Sequence, residues 1–580
     1  MRLQEFWGVG PKTAAQLTST IGEEAAVEAI ESGDVRTLTD AGLDRGRVTR
    51  ILRRAAGDGH GEAGMEVLAT RDSRAVYKDL LALASEYAVT ERAADRITIR
   101  TPLRSREKIE ERLDRVEEAV ASWQSLSDAD RRAVIETFDR YDSLAGDRAA
   151  VTAAIELHKT GVEDGIFAPV AALDVATLEA AVDAMGKLDG DAVADGADAE
   201  LARLRSQQAA VDQLAGSALD VLEQVRGEGV RDEAALRDAV CQYVARETEV
   251  DIDAVRRAAP DDAADAADYV GTTLRQLATE LHQDVDEREE TVRNAVRKTL
   301  TETETAVEAA VVAIDDVATA VSLARFAIDR ALVRPTISAE EDALAIEGAR
   351  NLQLATEAGD VQPIDYAVGE HELDPPTGEQ VAVLTGANSG GKTTLLETAC
   401  QVALLGSMGL PVPAERATIS PFDSVVFHRR HASFNAGVLE STLQSVVPPL
   451  TAPGRTLMLV DEFEAITEPG SAAAMLHGLV NLVVDEDAIG VFVTHLAGEL
   501  EPLPAAARLD GIFAEGLDAD LELVVDYQPR FHTLGRSTPE FIVTRLVSNA
   551  ADPHERVGFE ALADRLGAPV LQRRLDDDWT

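Results

Sequence analysis

Residues 386–394, Gly386-Ala387-Asn388-Ser389-Gly390-Gly391-Lys392-Thr393-Thr394, fit the pattern G-x-x-x-x-G-K-T. Glycines at these positions let successive backbone N–H groups curl around phosphate oxygens. Lys392 then reaches the β- and γ-phosphates, and the Thr393 hydroxyl holds Mg²⁺ at a helix N-terminus. The context agrees, with an apolar run, Val381-Ala382-Val383-Leu384, before the loop and Leu395-Leu396 after it. A second apolar run, Leu457-Met458-Leu459-Val460, ends in Asp461-Glu462. That pair offers one carboxylate to Mg²⁺ and one to an attacking water. A third run, Val491-Phe492-Val493, ends in Thr494-His495. A histidine at a strand end commonly serves packing, but beside a phosphate loop a neutral imidazole is placed to sense the γ-phosphate or orient water.

These groups need strand ends to hold them. The short β-rich runs, with Val425-Val426-Phe427 among them, predict an α/β domain over residues 345–525 with strands buried on both faces. Upstream, residues 75–335 read as helical. Ser105 is a cap, and Ile109, Leu113, Val116, Val120 and Trp123 recur at 4-3-4-3 spacing as a seam for a partner helix. Gly186, Gly190 and Gly196 mark a polar break over 186–199. Between Pro260 and Pro335 there is no proline and only Gly271, which predicts very long helices forming a paired, coiled-coil-like lever. Residues 1–60 read as short helices broken by glycine, ending in Arg45, Arg47, Arg50, Arg53 and Arg54. Residues 526–580 read as a small helical appendage.

The 104 acidic residues outweigh 55 basic ones, a net charge of −49, and only seven of the basic residues are lysines. Such composition resembles that of salt-loving archaea, whose carboxylate-rich surfaces stay hydrated at high ionic strength, so the net charge says little about partners. Cys241 and Cys400 match neither a disulfide framework nor a metal knuckle. With no apolar stretch of about 18 residues and no signal-peptide core at the start, a cytoplasmic protein without a membrane span is expected.

The segment Thr385 to Thr394 resembles the ATPase of the MutS family. Gly409-Leu410-Pro411-Val412-Pro413-Ala414 is similar to that family's "VPA" segment, and Arg334-Pro335 and Gln362-Pro363-Ile364-Asp365 match more weakly. The resemblance covers roughly residues 75–545 and implies ATP and Mg²⁺ as cofactors, with nucleotide roles for Asn388, Lys392, Thr393, Asp461, Glu462 and His495. It places an adenine platform at Val361 and Gln362. It also implies a homodimer in which Ser433, within Ala432-Ser433-Phe434-Asn435, reaches the opposite subunit's site. Only about fifteen residues separate the N-terminal module from the helical core, which leaves no room for the family's mismatch-reading domain. After Asp461-Glu462, the run Ala465-Ile466-Thr467-Glu468-Pro469-Gly470 is similar to the recombination-linked branch, without that branch's nuclease module at the end. The combination resembles the short archaeal branch of the family.

Near the start, Phe6-Trp7-Gly8-Val9-Gly10-Pro11-Lys12-Thr13 resembles a helix-hairpin-helix DNA element. Gly8 and Gly10 bring N–H groups close to a phosphate, and Lys12 and Thr13 open a helix whose positive end favours the anion. Such hairpins also dock proteins, and the arginine cluster tips this one toward DNA. The expected architecture is multidomain: a small helix-hairpin-helix domain (1–60), a long all-α core with lever and clamp (75–335), an α/β P-loop ATPase domain of ABC type (345–525) and the appendage (526–580). The expected function is ATP-driven DNA binding without sequence or mismatch selectivity. A coiled-coil ABC-type scaffold ATPase is the alternative, and a docking module with a degenerate ATPase is a third reading.

Overall fold

The computed structural model describes residues 3–55, 61–144, 146–190, 192–227, 232–355, 361–386, 391–430, 436–466, 469–500, 502–517, 523–535, 543, 545–547, 549–550 and 552–565. They fall into two compact units, one made of Met1–Ile135, Asp164–Ile166 and Asp315–Thr580, the other of Glu136–Glu163 and Phe167–Ile314. The chain is mostly helical, with a mixed α/β sheet region in the first unit. No single helix among the described residues is long and apolar enough to cross a membrane.

The first unit begins with α1 (Pro11–Thr20), α2 (Glu23–Ser32), α3 (Val35–Asp40) and α4 (Arg45–Ala55), closed around Leu17, Ile30, Leu38, Val48 and Leu52. Ahead of the Gly8-Val9-Gly10 turn stands a single 3₁₀ turn, Leu3–Glu5, where a helix-hairpin-helix would place its first α-helix. After a short helix at Gly61–Val67, α5 (Arg71–Ser85) opens with a capping box in which the Thr70 and Ser73 side chains serve each other's backbone N–H. In α6 (Arg106–Ser125), capped by Ser105, the predicted seam residues Ile109, Leu113 and Val116 are buried, and Val120 and Trp123 partly so.

In the second unit the polar break at 186–199 contains a two-rung antiparallel hairpin, β1 (Leu188–Asp189) with β2 (Ala192–Val193). Helix α7 (Ala266–Asp329) runs 64 residues without interruption, about 96 Å at 1.5 Å per residue. The proline-free stretch between Pro260 and Pro335 is thus mostly one long helix. In the second unit its apolar side, Val270, Leu274, Leu277, Leu281 and Val285, packs on several shorter helices through Leu201, Val211, Val240 and Val255. From Asp315 onward α7 belongs to the first unit, where Leu323 and Phe326 enter the core.

The remaining strands are β3 (Thr336–Ile337), β4 (Ala343–Ala349), β5 (Ile364–Gly369), β6 (Val381–Gly386), β7 (Arg416–Ile419), β8 (Ser424–His428), β9 (Thr456–Asp461), β10 (Ile489–Val493), β11 (Ala507–Leu517) and β12 (Leu523–Arg530). A six-stranded sheet has the order β12-β11-β6-β10-β9-β8, parallel except for β12, and a smaller sheet has the order β3-β7-β4-β5. The period-two pleat divides the parallel strands cleanly. Ala382, Leu384, Leu457, Leu459, Val491 and Val493 face the core shared with the small sheet. Val381, Val383, Met458, Val460 and Phe492 face a second core, to which α9 (Ala436–Thr451) and α10 (Pro469–Asp485) contribute. Helix α8 (Lys392–Ser407) is buried almost all round between the two sheets, as its Ala- and Leu-rich sequence dictates. Strand β12 runs to Arg530, so residues 526–530 complete the sheet as an antiparallel edge rather than starting a helical appendage. Helix α11 (Pro553–Arg565) follows.

The other edge, β8, is covered by the segment leading into α5. Leu68 bridges Val425, and the Thr70 hydroxyl both donates to the Phe427 carbonyl (2.6 Å) and accepts from its N–H (3.2 Å). Backbone groups that would otherwise template aggregation are thereby satisfied.

Candidate active site

Strands β6, β10 and β9 lie side by side and parallel, with Val493 in register with both Leu384 and Asp461. Their C-terminal ends therefore bring together what the sequence keeps far apart, as open α/β sheets do with ligand sites. The Glu462 N–H donates to the Val493 carbonyl (2.9 Å) and the Thr494 N–H to the Leu384 carbonyl (3.1 Å), lacing the three ends into one rim.

Gly386 ends β6 at φ 133°, where a Cβ would stand 2.3 Å from the Ile512 carbonyl oxygen, so no side chain fits. Gly391 precedes α8 at φ 75°. Lys392 is buried, and its Nζ donates to the Gly386 carbonyl (3.0 Å). Burial pulls its pKa down against the opposing pull of Glu462, Asp461 and Glu464. The Thr393 hydroxyl donates to Asp461 Oδ2 at 2.7 Å. Burial raises the Asp461 pKa while that hydrogen bond holds it down.

Glu462 has φ 43°, the left-handed region that a long side chain avoids. Its carboxylate is held on both sides, by His495 Nε2 at 2.9 Å and by the Arg430 guanidinium at 2.7 Å. The His495 hydrogen bond is the main cause of its lowered pKa; burial opposes, and the charges of His495, Arg430 and Lys392 assist. A strained residue whose side chain is fixed this firmly is a mark of functional sites.

A cavity of about 530 Å³ opens beside these groups. Gly391, Lys392, Thr393, Thr394 and Glu462 line it, together with Asn351, Leu354, Val361, Gln362, Ile364 and Tyr527. Val361 and Gln362, expected as an adenine platform, are thus on its wall. Gln362 is fixed by accepting from the Tyr527 N–H (3.2 Å) and donating to Asp526 (3.0 Å). Sequence reasoning missed Arg430, Glu464 and Tyr527, whose positions arise by tertiary apposition. The only local signal was Glu464, a charge inside the otherwise apolar run Phe463-Glu464-Ala465-Ile466. Ala387, Asn388, Ser389, Gly390 and Ser433 lie outside the described residues.

Asp461 Oδ1 is buried with no hydrogen-bond partner among the described residues, and a hydroxyl stands on the other oxygen. No group of three or more His, Cys, Asp or Glu suited to a metal occurs among the described residues. One carboxylate and one hydroxyl suit a hard cation that takes its other oxygens from phosphates and water, as Mg²⁺ does.

The N-terminal candidates do not join this site. Gly8 has φ 79° and Lys12 is exposed in the first turn of α1, but Thr13 is buried and its hydroxyl accepts from Arg47 (2.5 Å). The basic cluster is largely engaged within the chain. Arg45 pairs with Asp95, Arg53 donates to the Thr98 carbonyl (2.8 Å), and Arg54 lies 3.8 Å from the centre of the Trp7 ring.

Residues 382–507 match the family model "MutS domain V". The DNA-binding protein MutS2 of Pyrococcus furiosus is 45% identical over 188 residues, covering 32% of this chain and 34% of that protein. The DNA mismatch repair protein MutS of Natronomonas pharaonis is 31% identical over 218 residues, covering 35% of this chain and 24% of the relative. The corresponding protein of Rhizobium meliloti is 27% identical over 342 residues, covering 53% of this chain and 36% of the relative. The chain thus spans about a third or less of the length of these relatives. Residues 382–507 are similar to domain V of MutS proteins, and the relatives of the chain are named as MutS and MutS2 proteins.

Proposed function

We propose that this chain is an ATP-hydrolysing, DNA-binding protein of MutS type, acting as a cytoplasmic homodimer in DNA repair or recombination and largely indifferent to sequence and mismatches. The observation that carries the reading is the convergence of Lys392, the Thr393–Asp461 pair and the Glu462–His495 pair on one cavity at the strand ends. In this reading the loop 386–394 wraps the phosphates and Lys392 balances their charge. Thr393 and Asp461 would hold Mg²⁺, which when bound would supply charge withdrawal from the γ-phosphate. Glu462, kept ionised by its partners, orients the attacking water and accepts its proton. His495 fixes the Glu462 carboxylate, Arg430 neutralises its far oxygen, and Val361, Gln362 and Tyr527 receive the base.

DNA as a partner is supported by the relatives, named as DNA-binding and mismatch repair proteins. We assign phosphate contact to Gly8, Gly10, Lys12 and Thr13 of the 1–60 module, the lever and clamp to 75–335, ATP chemistry to 345–525 with the strand that completes its sheet, and a helical attachment to the segment after Arg530. Ser433 is the residue assigned to the partner subunit's site. The alternative is a coiled-coil ABC-type scaffold ATPase; in the second unit α7 packs on several shorter helices, which argues against it. Phosphate release by the full chain, measured with ATP and Mg²⁺, with EDTA, and with and without duplex DNA, tests both. Mg²⁺-dependent turnover that responds to DNA is expected. Turnover blind to DNA favours the scaffold, and no turnover refutes the ATPase.

A further inference from the structure

Glu464 stands in the 3₁₀ turn Phe463–Ile466, just beyond Glu462. Its Oε1 accepts two hydrogen bonds from the end of the neighbouring strand, from the Thr494 hydroxyl (2.9 Å) and from the His495 backbone N–H (2.6 Å). The Thr494 hydroxyl in turn accepts from the Leu496 N–H (2.9 Å), so the turn after β10 is pinned at three successive residues. The second oxygen, Oε2, is buried and has no hydrogen-bond partner among the described residues. A partly buried carboxylate with one enclosed oxygen left unpaired is an expensive way to build a turn. What this one fixes is the backbone of the residue whose ring contacts Glu462.

We infer that Glu464 is a positioning residue for the Glu462–His495 pair: by holding the main chain of Thr494 and His495 it sets where the His495 imidazole meets the Glu462 carboxylate. Glu462 N–H binds the Val493 carbonyl, and Glu464 binds the next two residues, so the two strand ends are tied on both sides of the catalytic carboxylate. Glu464 touches no reacting atom and acts through His495. Its single accepting oxygen does this work, so a neutral amide with one oxygen can replace it.

The inference rests on reading the site as an ATPase, and the test separates the two. In the full chain, Glu464→Ala is expected to lower kcat for ATP by about tenfold or more with KM moved less than about twofold, because the hydrogen bonds of Glu464 go to Thr494 and His495 and its charge is only the third of three carboxylates acting on Lys392. Glu464→Gln, which keeps an acceptor for both donors, should restore most of the loss. In a His495→Ala background, Glu464→Ala should cost little further, since both act on one pair. ¹⁵N signals of the His495 ring in histidine-labelled protein give a readout independent of turnover: they should move in Glu464→Ala and stay near the wild-type position in Glu464→Gln. If Glu464→Ala does not fold, Thr494→Val, which removes one of the two donors, takes its place and should shift the same signals. Equal losses in the Ala and Gln variants, full additivity with His495→Ala, or an unmoved His495 signal would each overturn the inference. Absence of turnover in the wild-type protein would refute the ATPase reading alone, and the His495 signals would still decide the role of Glu464.

Discussion

Lys392 and Glu462 each sit where an isolated side chain would not stay. Lys392 is buried, and three carboxylates, Glu462, Asp461 and Glu464, offset the desolvation that lowers its pKa. Removing the ammonium leaves those charges facing the phosphate loop without their cation. Lys392→Ala should therefore abolish ATP binding, measured by equilibrium titration with a fluorescent ATP analogue; affinity within about tenfold of wild type would contradict the assignment, a difference of only about 1.4 kcal/mol. These residues were legible because their spacing is set by one loop or one strand end: G-x-x-x-x-G-K-T after an apolar run, then Asp461-Glu462 and Thr494-His495 after two more. Arg430, Glu464 and Tyr527 were not. Arg430 enters from the end of β8 and Tyr527 from β12, and no local pattern says which distant strand will lie beside the phosphate loop.

The strands that carry the site were readable from short Val- and Leu-rich runs because both faces of a parallel sheet are buried. The small sheet was not. Arg416–Ile419 is four residues of mixed polarity whose partners, Thr336–Ile337 and Ala343–Ala349, lie about 70 to 80 residues earlier in the chain. What joins the two sheets is a buried polar cluster. On β11, Arg508 pairs with Asp510 (2.9 Å), and Asp510 also accepts from the Tyr366 hydroxyl of β5 (3.0 Å) and the His532 N–H (3.2 Å). The Asp510 carbonyl accepts from Thr385 at the end of β6, which ties the cluster to the phosphate loop. Asp510→Ala would strand the Arg508 cation in the core, and such one-sided removal costs about 3–5 kcal/mol. Calorimetry should show a lower unfolding midpoint for this variant; an unchanged midpoint would mean that Arg508 is satisfied by Glu379 and the Ala367 carbonyl alone.

At the scale of the molecule, charge sets the terms. The chain carries −49, and many cations of the second unit are paired: Arg140 with Glu156, Arg205 with Glu289, Arg256 with Asp238, Arg288 with Asp198. With Arg45, Arg53 and Arg54 engaged as well, the proposed DNA contact has few cations for phosphates. Each phosphate neutralised contributes about −0.9 to the slope of log affinity against log salt, so a shallow slope, weaker than about −4, is expected for duplex DNA. Matched and singly mismatched duplexes should bind within about tenfold of each other, about 1.4 kcal/mol; a stronger preference for the mismatch would contradict the reading. Single-turnover hydrolysis by Glu462→Gln tests most directly whether ATP is cleaved where Glu462 and His495 meet the loop 386–394: the variant should bind ATP as the wild type does and cleave it at least about a hundredfold more slowly. Hydrolysis at the wild-type rate would contradict it.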